Sequence, residues 1–238
     1  MLVEIIATSV EEAITAQEYG AGRIELIHSF ADGGLSPQLE LTKVVCEAVA
    51  IPVNVMVRPH GNSFYYSVSD LKQIEAEIDY LLSSTQVNDL VFGALDSQKR
   101  VDFAVLERIL RRIEGSGVGL TFHRAIDESV DILGDFILLQ GYATHGVRRV
   151  LTSGGAVTAP AGAKMIAKLQ QQVMDRTSNH QAAVAVLAGA GITPLNVAQL
   201  VTTTQVNQIH LGSGVRQNHQ LTRDLFVELF NNLTPGYS

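Results

Sequence analysis

The chain has 238 residues, a single cysteine (Cys46) and no tryptophan. Hydrophobic residues make up 46% and charged residues 17%, the reverse of a disordered composition, and one thiol excludes an internal disulfide or a multi-cysteine metal site within the chain. A net charge of −7 and 6% aromatic residues argue against nucleic acid as a partner, through either phosphate contacts or base stacking.

From Met1 the chain runs straight into a strand pattern, without a basic leader or a cleavage-type end. The apolar runs, such as Ala182 to Ala190, fall well short of the roughly 20 residues that a spanning helix needs. No membrane association is expected, and the single thiol fits a reducing cytoplasmic location.

Strand patterns are predicted at Leu2–Ala7, Arg23–His28, Pro52–Arg58, Asp89–Ala94, Val118–His123, Val147–Thr152, Ala183–Gly189 and Gln208–Gly212. Amphipathic helix patterns lie between and after them, at Val10–Tyr19, Leu39–Ala50, Leu71–Leu82, Phe103–Ile113, Leu133–Gly141, Ala163–Met174, Pro194–Val201 and Leu221–Asn231. Ser9, Ser69-Asp70 and Thr193-Pro194 read as helix starts. Units of strand and helix repeating at roughly 30 residues predict an α/β fold, a (β/α)8 TIM barrel forming one domain over residues 1–238. The rival is an open doubly wound sheet. Its central strands should be apolar on both faces. Here Arg23 and Glu25, Asn54 and Arg58, Thr121 and His123, and Gln208 and His210 each share one face of a strand, which suits a polar lumen inside an apolar outer surface.

Barrel enzymes build their sites at the C-terminal strand ends. Those ends carry Glu25 and His28, Arg58 and His60, His123 and Arg124 with Asp127 close behind, and His210, whereas the opposite ends look plainer. A carboxylate, guanidinium groups and two imidazoles converging there suit acid–base chemistry, with Glu25, Arg58, His123, Arg124, Asp127 and His210 as the candidate catalytic set. The other reading of this set is a buried ionic network that fills a polar barrel. The turns Ser153-Gly154-Gly155, Gly189-Ala190-Gly191 and Gly212-Ser213-Gly214 have the composition of an anion cradle, or simply of tight βα turns. For metal, His28 and His60 are weak candidates, because no short His or Cys spacing accompanies them.

Several segments resemble one family. They are Val57-Arg58-Pro59-His60-Gly61 with Phe64-Tyr65-Tyr66-Ser67, Val91-Phe92-Gly93-Ala94-Leu95, Thr121-Phe122-His123-Arg124-Ala125-Ile126-Asp127, Arg149-Val150-Leu151-Thr152-Ser153-Gly154-Gly155 and Ala188-Gly189-Ala190-Gly191-Ile192. With Arg23-Ile24-Glu25-Leu26 and Gly33-Gly34-Leu35-Ser36-Pro37, they are similar in content and order to the CutC family along essentially the whole chain. The resemblance implies a cytoplasmic TIM-type barrel, a homodimer, and copper homeostasis through copper(I) binding or trafficking. Glu25, Arg58, His123, Arg124, Asp127 and His210 match the family pattern. Three places depart from it: Ile27-His28, where many members carry Cys; His60, where Arg is usual; and Gly212-Ser213-Gly214, where Ser-Ser is common. Three functional readings follow: a copper-ion handling protein, a barrel enzyme acting on a small anionic or phosphorylated metabolite, and a non-enzymatic metabolite binder or scaffold.

Overall fold

The computed structural model describes residues 1–30 and 33–233; residues 31, 32 and 234–238 of the expected 1–238 domain lie outside the described residues. The strands β1 (Leu2–Ala7), β2 (Arg23–Leu26), β3 (Val53–Met56), β4 (Asp89–Phe92), β5 (Gly119–Phe122), β6 (Val147–Thr152), β7 (Ala185–Gly189) and β8 (Gln208–Leu211) are all parallel and close into a barrel in chain order. Pairing of β1 with β8, Val3 opposite Ile209, seals the barrel and excludes the open sheet.

The helices α1 (Val10–Glu18), α2 (Leu39–Ala48), α3 (Val68–Ser84), α4 (Phe103–Ile113), α5 (Ile132–Leu139), α6 (Ala163–Ser178) and α7 (Pro194–Thr204) connect the strands, and α8 (Arg223–Leu233) follows β8. Strand residues of one parity, among them Val3, Ile5, Ile24, Leu26, Val55, Leu90, Phe92, Leu120, Phe122, Val186 and Ile209, are buried against this helical layer. The helices answer with stripes such as Leu106, Ile109, Leu110 and Ile113 of α4, spaced to lie on one face. Each such burial stabilises by about 1.5–3 kcal/mol.

Two helix starts are capped as the sequence predicts, by Ser9 accepting from the Glu12 amide and by the Thr193–Asn196 capping box with Pro194. The α3 start falls earlier than predicted: Ser67 is the cap and Asp70 closes the box, so α3 begins at Val68. Near the C-terminus, Leu221 is predicted helical but lies in a two-residue strand, Gln220–Leu221, paired antiparallel with Arg216–Gln217. Asn218 and His219, at φ 50° and 66°, form the left-handed turn of that hairpin, and the helix waits until Arg223.

Opposite parity points the remaining strand side chains into the lumen, and its lower part is not plain. Glu4 accepts hydrogen bonds from Arg23 and from Asn54 (3.0 Å), and Asn88 donates to Asn54 (3.0 Å). Arg149 pairs with Asp89 and donates to the Thr121 hydroxyl (2.9 Å), while Arg148 reaches Asp89 at 2.7 Å. The plain appearance of these ends in the sequence is corrected by closure. Every strand except β7, which is Ala-Val-Leu-Ala-Gly, supplies one or two polar groups, and only the barrel gathers them into a network. Above it, Ile6, Ile27, Met56 and Val91 form a separate apolar cluster.

Candidate functional site

A cavity of about 480 Å³ opens at the C-terminal ends of the strands. Of the predicted residues, Glu25, Arg58, His123, Arg124, Asp127, His210, Gly191, Gly212, Ser213 and Gly214 line it. Ile6, Ile27, Met56, Phe64 and Leu151 add an apolar surface.

One wall is a row of carboxyl, imidazole and carboxyl groups. The ring of His210 stands between two carboxylates, with Nδ1 2.8 Å from Glu4 and Nε2 3.6 Å from Glu25. All three side chains are buried. Burial alone would lift the Glu4 carboxyl, but Arg23 and the hydrogen bond from His210 hold it down to about 2. Glu4 is therefore a fixed anion that orients the imidazole. Burial and the nearby negative charge of Glu4 push Glu25 up to about 7, against the attraction of His210. His210 loses basicity by burial but gains more from Glu25 and Glu4, and stands above the ordinary histidine value. A carboxyl group lifted to about 7 beside an imidazole of raised basicity suits general acid–base work.

A second wall is aromatic and cationic. The Arg58 guanidinium lies 4.7 Å over the Phe64 ring, which packs 5.0 Å from the His123 ring. Arg58 also donates to the carbonyls of Gly34 (3.1 Å) and Gly61 (3.4 Å), which ties the loops after β2 and β3 together. His123 sits where β5 ends, and the Ala125 amide donates to its Nδ1 (3.2 Å). Burial, then the positive charge of Arg58, hold this imidazole down to about 3, so it is neutral. Gly93 makes the position possible, since a Cβ there would stand 2.6 Å from His123 Nδ1.

Asp127 lines the cavity, yet its carboxylate is fully engaged. It accepts from the Thr152 hydroxyl, the Ser153 amide and hydroxyl (3.0 and 2.9 Å), the Gly155 amide (3.0 Å) and Arg124 (2.8 Å). It holds the turn after β6, and Ser153, Gly154 and Gly155 stand behind it rather than on the wall. Gly189 also lies off the wall, where a Cβ would press on Leu151 and His210. The turns after β7 and β8 meet closely: a Cβ on Gly214 would fall 1.8 Å from the Ile192 carbonyl oxygen. The amides of Ser213 and Gly214 open a short 3-10 turn, Ser213–Val215, and have no partner within it.

The two metal candidates lie elsewhere. Strand pleating sends Glu25 and Ile27 inward, so His28 shares the outward parity of Leu26 and is exposed. His60 faces Asp70 at the start of α3 (3.4 Å) and the Tyr66 ring. Among the described residues, Glu4, Glu25 and His210 are the grouping with ligand atoms close enough to share an ion, within 4.8 Å of one another. Glu4 is the member that the sequence reading missed. Its signal was a carboxylate inside the apolar strand Leu-Val-Glu-Ile-Ile-Ala.

The CutC family model matches residues 1–215. A CutC family protein of Photobacterium profundum is 33% identical over 220 residues, covering 92% of this chain and 84% of the relative. One from Histophilus somni is 31% identical over 237 residues, covering 100% and 92%. A crystal structure from Streptococcus agalactiae, named for copper homeostasis, superposes with a TM-score of 0.77 at 25% identity, over 91% of this chain and 100% of that one. No helix among the described residues is long and apolar enough to cross a membrane. With the family model spanning nine-tenths of the chain and the fold shared, this chain belongs to the CutC family.

Proposed function

We propose that this chain is a barrel enzyme that binds a small anionic metabolite at the strand C-termini and transfers a proton on it. The observation that carries this reading is the Glu4–His210–Glu25 row, which puts a carboxyl group and an imidazole side by side on the wall of a ligand-sized cavity. Arg58 and Arg124, with the amides of the turn after β8, supply positive potential for the anion. The apolar surface of Ile27, Met56 and Leu151 strengthens those charges by excluding water.

The name of the Streptococcus agalactiae relative brings copper as a second candidate ligand. Copper(I) prefers thiolate and thioether donors. Among the described residues on the cavity wall, Met56 alone bears sulfur, and Cys46 sits in α2 beside a depression at the opposite end of the barrel. Burial pushes the Cys46 thiol up to about 11, so it is not a thiolate near neutrality. The residues present do not fit copper(I).

The test is isothermal titration with inorganic phosphate and with glycerol phosphate, on wild type and Arg124→Ala. Binding that weakens about tenfold in the variant is expected, the cost of one charge-assisted contact. Wild-type protein that binds neither anion would overturn the reading. Stoichiometric copper(I) uptake in anaerobic competition with a chelator, lost in Met56→Leu, would replace it.

A further inference from the structure

Two residues that line the cavity each carry a buried polar atom, Oε1 of Glu25 and Nε2 of His123, with no hydrogen-bond partner among the described residues. They come from β2 and the end of β5, three strands apart around the barrel. Their chemistry is opposite. Glu25 Oε1 is a carboxyl oxygen that can accept a proton when the group is ionised. His123 is locked in one tautomer, because the Ala125 amide donates to Nδ1 and so requires a lone pair there; the ring proton must sit on Nε2. The Nδ1 lone pair is spent on the backbone, so this imidazole cannot act as a base. It can only donate.

A ligand that satisfies both atoms must offer an acidic hydrogen to one and an oxygen acceptor to the other. A carbonyl group with a hydrogen on the neighbouring carbon does so. We propose that the substrate is a small anionic carbonyl compound and that the enzyme enolises it, with Glu25 taking the carbon-bound proton and His123 donating a hydrogen bond to the carbonyl oxygen. This rests on the anionic-site reading above and goes beyond it by naming the substrate class and a role for His123.

The step is balanced. The C–H electron pair becomes the carbon–carbon double bond, and the carbonyl π pair moves onto oxygen. That oxyanion is held by the Nε2–H of His123, and Glu25 keeps the proton. Return of the proton to the same carbon regenerates the substrate. On an α-hydroxy carbonyl, return to the other carbon, with the hydroxyl proton crossing to the first oxygen, gives the isomer. No oxidant or co-reactant is consumed. A neutral donor suits this task, because it stabilises the developing oxyanion without surrendering its own proton, and the Phe64 ring keeps bulk water from it.

The test follows carbon-bound hydrogen by proton NMR in deuterium oxide, with dihydroxyacetone phosphate, ribulose phosphate and fructose phosphate as probes. Wild type should exchange deuterium into at least one of them faster than buffer. Glu25→Gln should abolish the exchange. His123→Phe, which keeps a ring and removes the donor, should slow it about 100-fold or more, and His123→Gln, which restores a donor, should recover part of the loss. In nitrogen-15 spectra of histidine-labelled protein, His123 should show a protonated Nε2 and an unprotonated Nδ1, unchanged from about pH 5 to about pH 8. A titrating His123 or the opposite tautomer would overturn its role, as would exchange that is indifferent to His123→Phe. If the probes bind more tightly than inorganic phosphate and none exchanges, the carbonyl assignment fails and the anionic site stands. If none binds, both fail.

Discussion

Replacing Glu25 by Gln preserves the shape of a buried side chain and removes its titration. In the folded chain its carboxyl is lifted to about 7, first by burial and then by the charge of Glu4, in opposition to His210. In the unfolded chain it returns to the ordinary value of about 4.3. Between those values the folded state retains a proton that the unfolded state has released, so stability falls as pH rises through this window. At 1.36 kcal/mol per pH unit the gap amounts to about 3 to 4 kcal/mol. His210 adds a slope of the same sign: raised above its ordinary value, it contributes stability below about pH 6.5 that is lost as pH climbs through its folded value. Glu77 of α3, lifted to about 7 chiefly by burial, adds another from outside the cavity. Urea unfolding from about pH 4.5 to about pH 8 should therefore show Glu25→Gln matching wild type at the acid end and exceeding it by up to about 3 to 4 kcal/mol at the alkaline end. Glu77→Gln should show the same divergence at the alkaline end and leave the cavity's chemistry intact. Parallel wild-type and Glu25→Gln curves across that range would refute the assignment of a proton to Glu25 in the folded state.

Glu4→Gln takes the anionic partner from the buried Arg23 guanidinium, leaving it neutral amide acceptors, and should cost about 3–5 kcal/mol, a fall of about 10 °C in Tm by calorimetry. Glu75→Gln, at the partly exposed pair with Arg108, should leave Tm unresolved from wild type. Gly93→Ala drives a Cβ into the His123 ring and should destabilise by about 1–3 kcal/mol while breaking the hydrogen bond from the Ala125 N–H to His123, visible as a changed His123 nitrogen-15 shift. Cys46, half-buried with its thiol at about 11, should react with a disulfide reagent far more slowly in native protein than in urea, and a rapid native reaction would contradict the raised thiol.

Much of this architecture is local and therefore visible in the chain. Alternation in Arg23-Ile24-Glu25-Leu26 and Gln208-Ile209-His210-Leu211 by itself sorts lumen from helix-facing residues, because the pleat has a period of two. The same parity, applied to His28, already turns it outward once β2 is registered from Arg23. Capping chemistry placed α1 and α7 because a cap needs only neighbouring residues.

What the amino-acid order could not show is which groups meet across the barrel. Glu4 and His210 are 206 positions apart, and Arg149 and Asp89 are 60 apart. Only closure of β1 on β8 brings His210 between Glu4 and Glu25. Only the packing around β5 leaves His123 Nε2 unpartnered while Asp127, a few residues further along, is spent on the loop after β6. Sequence alone determined the kinds of groups present and the strand faces that carry them. Their proton affinities and their freedom to meet a ligand were decided by tertiary structure, because desolvation and charge coupling depend on distances through space, which the chain's linear order does not contain.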